Sequence, residues 1–317
     1  MKNSIPSGVV QFFEPISSIR RQTENRLMEL FVKKGYKEIV TSLFSYENTI
    51  FDGLFEPLKT QLFKIIDKNS GQTMVLRADI TMQITQAIIM GNFDMPVRVC
   101  YADNIYRDVE EHSAQKREFR QTGVELFGIK NESADREVME LAISALKEIG
   151  INDLCIRISD TYIFEQLFKE YKIEDRAKIN KIKEILNKRN LDLILKQFAD
   201  LPKEFLDTLI LLNKKSGYFL GGYQYNDIRF VAEKAISLAE SLKSQYEDAQ
   251  IFLDLFYCEY PMYHHGLVFE IFSNDTSLVV GGRYGNVTKP FGKYIPATGF
   301  AINLDELTYF LFNKEKR

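Results

Sequence analysis

The 317-residue chain is 45% hydrophobic and 27% charged, with a formal net charge of −3. Those values allow a sizeable core and one large domain or two modest ones, and they lack the basic excess of a dedicated nucleic-acid binder. Three cysteines (Cys100, Cys155, Cys258), far apart and set in apolar runs, exclude a disulfide framework or a thiolate metal site. The opening MKNSIPSGVVQFFEP lacks the layout of a signal peptide. No apolar run reaches the roughly 18 residues of a membrane span. A cytoplasmic protein without membrane contact, metal or cofactor is expected.

Residues 16–35 have helical spacing, with Ile16, Ile19, Leu27, Leu30 and Phe31 on one face and Gly35 as a stop. KEIVTSLF follows as a strand. QLFKIID and TMVLRAD, flanking the polar turn KNSGQ, predict an antiparallel hairpin. Asp79 or Thr81 is placed to cap the helix TMQITQAIIMGN. PVRVCYA (96–102) and REFRQTGVELFG (117–128) alternate as strands, joined by the charged loop RDVEEHSAQK. Residues 134–149 form an amphipathic helix ending at Gly150, and DLCIRIS is a strand.

From about 161 to 247 the pattern is mostly helical, interrupted by GYFLGGYQ. Strands return in IFLDLFY, GLVFEIFS, SLVVGGRY and ATGFAINL, and LDELTYFLF is a last helix. Early and late strands with clustered helices predict an α+β fold built on an antiparallel sheet, not βαβ winding. No internal repeat or low-complexity tract is present.

Four stretches can carry chemistry. In VLRADITMQ, Asp79 beside Thr81 can hold an ammonium group through charge-assisted hydrogen bonds, or can simply cap a helix. In IYRDVEEHSAQKREFRQTGVELFG, the even spacing of Gln121 and Glu125 puts both on one face, beside Arg107. MYHHGLVFEIF is the third. In SLVVGGRYGNVTKPFGKYIPATGFAINLDEL, Gly281, Gly282 and Gly285 let backbone approach a ligand closely or form a tight bend, with Arg283 and Tyr284 as polar handles.

Taken in order, these stretches resemble the histidyl-tRNA synthetase family over nearly the whole chain. LRADIT resembles LRPEGT, and residues 106–128 resemble class II motif 2 without a gap. MYHHGLVFE resembles the histidine-binding strand DYYTGxVFE. GGRYG followed by PATGFAINLDEL resembles GGRYD followed by motif 3. GYKEIVTS stands for motif 1, with Ser42 at the family's proline. The resemblance implies a class II synthetase-like core over 1–160 and 248–317, a helical insertion over 161–247, and no anticodon-binding domain.

It also implies a histidine pocket made by Asp79, Thr81, Arg107, Gln121, Glu125, Tyr263, His264 and Tyr284. Asp79 and Glu125 would take the ligand's positive groups, Arg107 its carboxylate, and Gln121 and Tyr263 its other polar atoms. His264 replaces a tyrosine and His265 a threonine. The departures fall on the nucleotide side. Glu306 stands where motif 3 has its phosphate-binding arginine, and Glu259 where the histidine-specific arginine is expected. At about 4 Å and an effective dielectric near 20, each unit-charge pair is worth on the order of 4 kcal/mol, so two reversals oppose ATP binding.

A synthetase core with a kept amino-acid pocket and a reversed nucleotide site is similar to the regulatory subunits of ATP phosphoribosyltransferase, whose LRaDxT is the nearer match to LRADIT. That likeness implies a non-catalytic partner of the short catalytic subunit in the first step of histidine biosynthesis. It implies four regulatory and four catalytic chains in a hetero-octamer, self-pairing through the class II dimer interface, and histidine as the effector. The sequence leaves open whether histidine sits in this pocket or at the interface with the partner. A histidyl-tRNA synthetase-like ligase and a dimeric scaffold without ligand remain the alternatives.

Overall fold

The computed structural model describes residues 5–50, 56–110, 116–217, 220, 226, 229–256 and 264–315. Helix α1 (Ile16–Lys33) ends as its sequence directs. Gly35 takes a positive φ of 90°, so its N–H reaches the Val32 carbonyl and the Tyr36 N–H that of Phe31. Gly150 closes α5 (Glu132–Glu148) through the same pair of bonds.

The stretch KEIVTSLF is not one strand. Only β1 (Lys37–Glu38) joins the main sheet, and β2 (Phe44–Tyr46) belongs to a second, three-stranded sheet. The small sheet is completed by the expected hairpin of β3 (Lys64–Ile66) and β4 (Thr73–Leu76). Arg77, just after β4, is only 3% exposed. Its guanidinium meets Thr41 through the carbonyl (3.2 Å) and Oγ1 (2.9 Å), the Asn104 carbonyl (2.9 Å) and Asp103 (2.5 Å). This buried cation draws the chain out of the main sheet after Ile39 and ties the two sheets together.

Short helices α2 (Glu47–Ile50) and α3 (Glu56–Lys59) lie between β2 and β3; helix α4 (Ile80–Gly91) follows β4, then β5 (Val97–Tyr106) and β6 (Glu118–Phe127). Strand β7 (Cys155–Asp160) precedes, among the described residues, five helices: α6 (Tyr162–Glu170), α7 (Arg176–Asn187), α8 (Leu191–Gln197), α9 (Lys203–Lys215) and α10 (Arg229–Gln245). Strands β8 (Gln250–Leu253), β9 (Leu267–Ser273), β10 (Thr276–Arg283) and β11 (Ala297–Asn303) lead into α11 (Leu304–Glu315).

The main sheet has the order β1-β5-β6-β11-β10-β9-β7-β8. Its interior pairs are antiparallel, as expected for an α+β fold, and both edge pairs are parallel. At one edge the five helices form the crossover from β7 to β8. They share their core with the sheet: Phe164, Leu167, Phe205, Leu209 and Ile236 join the same apolar cluster as Phe31, Val124, Leu146 and Phe300.

A second cluster lies on the opposite face, where Ile80, Ile84 and Ile88 of α4 meet Val99, Tyr101, Phe127 and Tyr284. Strand alternation accounts for the split: Cys100 and Leu126 fall in the first cluster, Val99, Tyr101 and Phe127 in the second. No described helix is long and apolar enough to cross a membrane. Cys100 is buried and Cys155 half-buried, both as free thiols, and Cys258 lies outside the described residues.

Candidate functional site

The register of the sheet assembles the site. Glu125 stands opposite Gly299, Gly299 opposite Gly282, and Gly282 opposite Val268. Directly paired residues share a face, so one row of side chains crosses four strands on the α4 side. Two of the four positions are glycine, which leaves a floor without side chains. Gly281 and Gly282 therefore lie inside β10 and not in a bend, correcting the tight-turn alternative. A Cβ at Gly282 would lie 3.0 Å from His264 Cδ2, so His264 covers this floor.

Glu125, 2% exposed, is the centre. Thr81 donates its hydroxyl to Oε1 at 2.7 Å and Tyr284 donates to Oε2 at 2.5 Å. Burial pushes the Glu125 carboxyl up to about 8, against the pull of those two hydroxyls, and the Asp79 charge adds to the rise. Asp79 is the N-cap of α4, accepting from the Met82 N–H at 3.0 Å. Burial raises its carboxyl too, opposed by that N–H and by the nearby Arg107 and His264. Thr81 thus serves Glu125, and capping falls to Asp79 alone.

Gln121 shares the face of Glu125, as the even spacing requires, and its Oε1 accepts from Tyr101 at 3.1 Å. Arg107 stacks over Phe119 at 5.3 Å, and its Nε donates to the Ala78 carbonyl at 3.2 Å. The structure therefore gathers Asp79, Thr81, Arg107, Gln121, Glu125, His264 and Tyr284 on one face. Tyr263 and Glu259 lie outside the described residues. Glu306 is exposed at the head of α11, and among the described residues its carboxylate has no hydrogen-bond or ion-pair partner.

Arg283 is not a handle for this face. As the residue after Gly282 it points the other way, and Nη2 meets Asp135 of α5 at 2.6 Å. Sequence reasoning also passed over Gly299, although a glycine inside an alternating strand marks a close approach. Among the described residues no group of three or more His, Cys, Asp or Glu could hold a metal.

The arrangement suits a ligand with positive charge. One buried and one half-buried carboxyl face one arginine, and an incoming cation would relieve the burial cost of both acids while Arg107 receives an anionic group. The titration has a measurable sign. A carboxyl raised in the folded state stabilises the protein most below its unfolded pKa, and this contribution is lost as pH climbs through the folded value. The stability advantage of wild type over Glu125→Gln should therefore shrink between about 4.5 and about 8, as read by denaturant midpoints. A gap that widens over that window would contradict the burial argument.

The histidyl-tRNA synthetase family model matches residues 9–307. An ATP phosphoribosyltransferase regulatory subunit of Thermoanaerobacter sp. (strain X514) is 30% identical over 99% of this chain and 84% of its own length. The crystal structure of an ATP phosphoribosyltransferase regulatory subunit/histidyl-tRNA synthetase from Bacillus halodurans C superposes with a TM-score of 0.81 at 25% identity, covering 98% of this chain and 83% of that one. A chain of the ATP phosphoribosyl transferase (HisG:HisZ) complex from Thermotoga maritima shares the fold at TM-score 0.68 and 18% identity, covering 90% and 97%. Near-complete coverage, together with a pocket whose parts come from both ends of the sequence, places this chain in the family of ATP phosphoribosyltransferase regulatory subunits, built on the class II fold of histidyl-tRNA synthetase.

Proposed function

We propose that this chain is the non-catalytic regulatory partner of a short ATP phosphoribosyltransferase catalytic subunit, and that it binds histidine in the pocket around Glu125. The observation that carries the reading is the contrast between two charge patterns. The amino-acid side keeps buried Glu125, half-buried Asp79, Arg107, Gln121 and a tyrosine hydroxyl. On the nucleotide side the resemblance puts Glu306, an exposed acid, at the position of the phosphate-binding arginine of motif 3. Asp79, Thr81 and Glu125 would hold the ammonium and imidazole groups, Arg107 the carboxylate, and Gln121, Tyr263, His264 and Tyr284 would complete the enclosure.

Histidine then regulates by binding one assembly state better than another. A coupling of about 1–3 kcal/mol gives a 5- to 150-fold response. The Thermotoga maritima relative, described as a HisG:HisZ complex, supports pairing with a catalytic subunit. The proposed assembly is four plus four chains in the cytoplasm, with regulatory chains paired to each other. The small sheet supports self-pairing: Phe44, Tyr46, Ile65 and Ile66, with nearby Val40 and Leu43, are all exposed, and a monomer seldom leaves so many large apolar side chains open.

Two measurements test the reading. Phosphoribosyl transfer to ATP by the short catalytic subunit should rise on adding this chain and fall again with histidine. Calorimetry should show histidine binding to this chain, weakened at least about tenfold in Glu125→Gln, as expected for losing a charged hydrogen-bond partner. Histidine-dependent ATP–pyrophosphate exchange by the chain alone would overturn the non-catalytic assignment. A chain that pairs with itself but binds no histidine would leave only a scaffold.

A further inference from the structure

A second polar cavity of about 240 Å³ lies on the helix-covered side of the sheet, between α5, α6 and α10. Its independence from the Glu125 pocket follows from the register. Val268 stands opposite Ser159, so Ser159 shares the Glu125 face, and the next residue, Asp160, faces the other way. Asp160 lines this cavity together with Tyr162, His265, Lys234, Arg283 and Asp135.

Asp160 is only 6% exposed. Its Oδ1 accepts from the Tyr162 N–H at 2.9 Å, and among the described residues that is the carboxylate's single hydrogen-bond partner. A buried carboxylate ordinarily collects more donors than one or an ion-pair partner. Of the cations that line the cavity, Arg283 is engaged elsewhere, and Lys130 and Lys234 are exposed. Arg283 uses Nε and Nη2 on Asp135, Nη1 on the Ile129 carbonyl, and Nη2 again on the Asn131 carbonyl. Lys234 is largely exposed and lies 3.9 Å from Glu132.

The cavity also has an aromatic wall. The rings of Tyr162 and His265 lie 4.0 Å apart, tilted at 51° to each other, and Nδ1 of His265 is 3.6 Å from Glu165, outside the cavity lining. Gly266, at φ 123°, leaves the space against Tyr162: a Cβ there would come within 3.3 Å of the ring. A largely buried carboxylate with one oxygen hydrogen-bonded and the other accessible at the cavity, next to aromatic rings, is the chemistry that recognises a small organic ammonium ion.

We propose that this cavity binds a small organic amine as its ammonium form, with Asp160 as the anion and the Tyr162–His265 pair as an aromatic wall. Accepting the Tyr162 N–H needs one oxygen and no charge. Benzylamine is the probe and benzyl alcohol its uncharged counterpart, each titrated calorimetrically into the full chain. Benzylamine should bind with a Kd of about 1 mM or tighter, and benzyl alcohol at least about tenfold more weakly. Asp160→Asn keeps an oxygen for the Tyr162 N–H, removes the charge, and should cost about tenfold or more in benzylamine affinity.

Lys234→Ala, at an exposed position, removes a competing cation and should bind benzylamine at least as tightly as wild type. That comparison and the alcohol control decide the matter even if Asp160→Asn fails to fold. Absence of benzylamine binding at about 20 mM, equal affinity in Asp160→Asn, or weaker binding in Lys234→Ala would each overturn the proposal. So would loss of benzylamine binding in Glu125→Gln, which would put the amine in the other pocket.

Discussion

Gly299→Ala should lose at least about 3 kcal/mol of stability and abolish histidine binding. A Cβ at this position would lie 1.9 Å from Glu125 Oε2 and 2.4 Å from the Val124 carbonyl oxygen. Neither neighbour can yield cheaply. The carboxylate is held at both oxygens by Thr81 and Tyr284, and the carbonyl belongs to β6, paired along its length with β5 and β11. Relief requires either expelling the carboxylate from its hydroxyls or parting two central strands. The first leaves a buried acid without partners, and the second opens the sheet. Denaturant midpoints and histidine calorimetry read the two losses. A variant as stable as wild type that still bound histidine would show that Glu125 does not rest on the β11 backbone.

Arg283→Met has the next largest expected effect, about 3–5 kcal/mol, because it removes one partner of a buried pair. The Asp135 side chain is 5% exposed and that of Arg283 is 14%. The substitution strands the carboxylate, leaves the Ile129 carbonyl without its Arg283 donor, and leaves the Asn131 carbonyl with the Ala134 N–H alone. Burial already raises the Asp135 carboxyl, and Arg283 is the main force holding it down. Without the guanidinium the acid is driven toward its neutral form. A folded-state pKa raised in this way adds stability as pH falls, so the deficit of Arg283→Met should be largest near neutrality and narrow in acid. Pairing it with Asp135→Leu should recover much of the loss. A pH-independent deficit, or no recovery in the double variant, would argue against the buried pair as the cause.

Local chemistry made much of the fold legible. Alternation read β5 and β6 within a few residues, polar turn residues announced the 64–76 hairpin, and Gly35 and Gly150 ended their helices by taking positive φ. The shared face of Gln121 and Glu125 followed from strand geometry alone. What was illegible depends on distant partners. Thr81 finds Glu125 across 44 positions of sequence, and Tyr284 reaches it across 159. The helix-cap reading of Asp79 and the ligand reading of Thr81 could not be separated until those partners were in place. The split of KEIVTSLF depends on buried Arg77, whose local context is that of any surface arginine. Gly281 and Gly282 looked like a bend because a glycine pair records only missing side chains, and strand pairing decides whether the gap is a turn or a floor.

Strand β10 sets two consecutive residues to different tasks. Gly282 supplies bare backbone beneath His264, and Arg283, one peptide further, is bolted to the first turn of α5. Rocking that peptide tilts both at once, so a guest that presses on the floor also loads the guanidinium's grip on Asp135. A guest that shifted the backbone on one side of the sheet would therefore be felt on the other through α5.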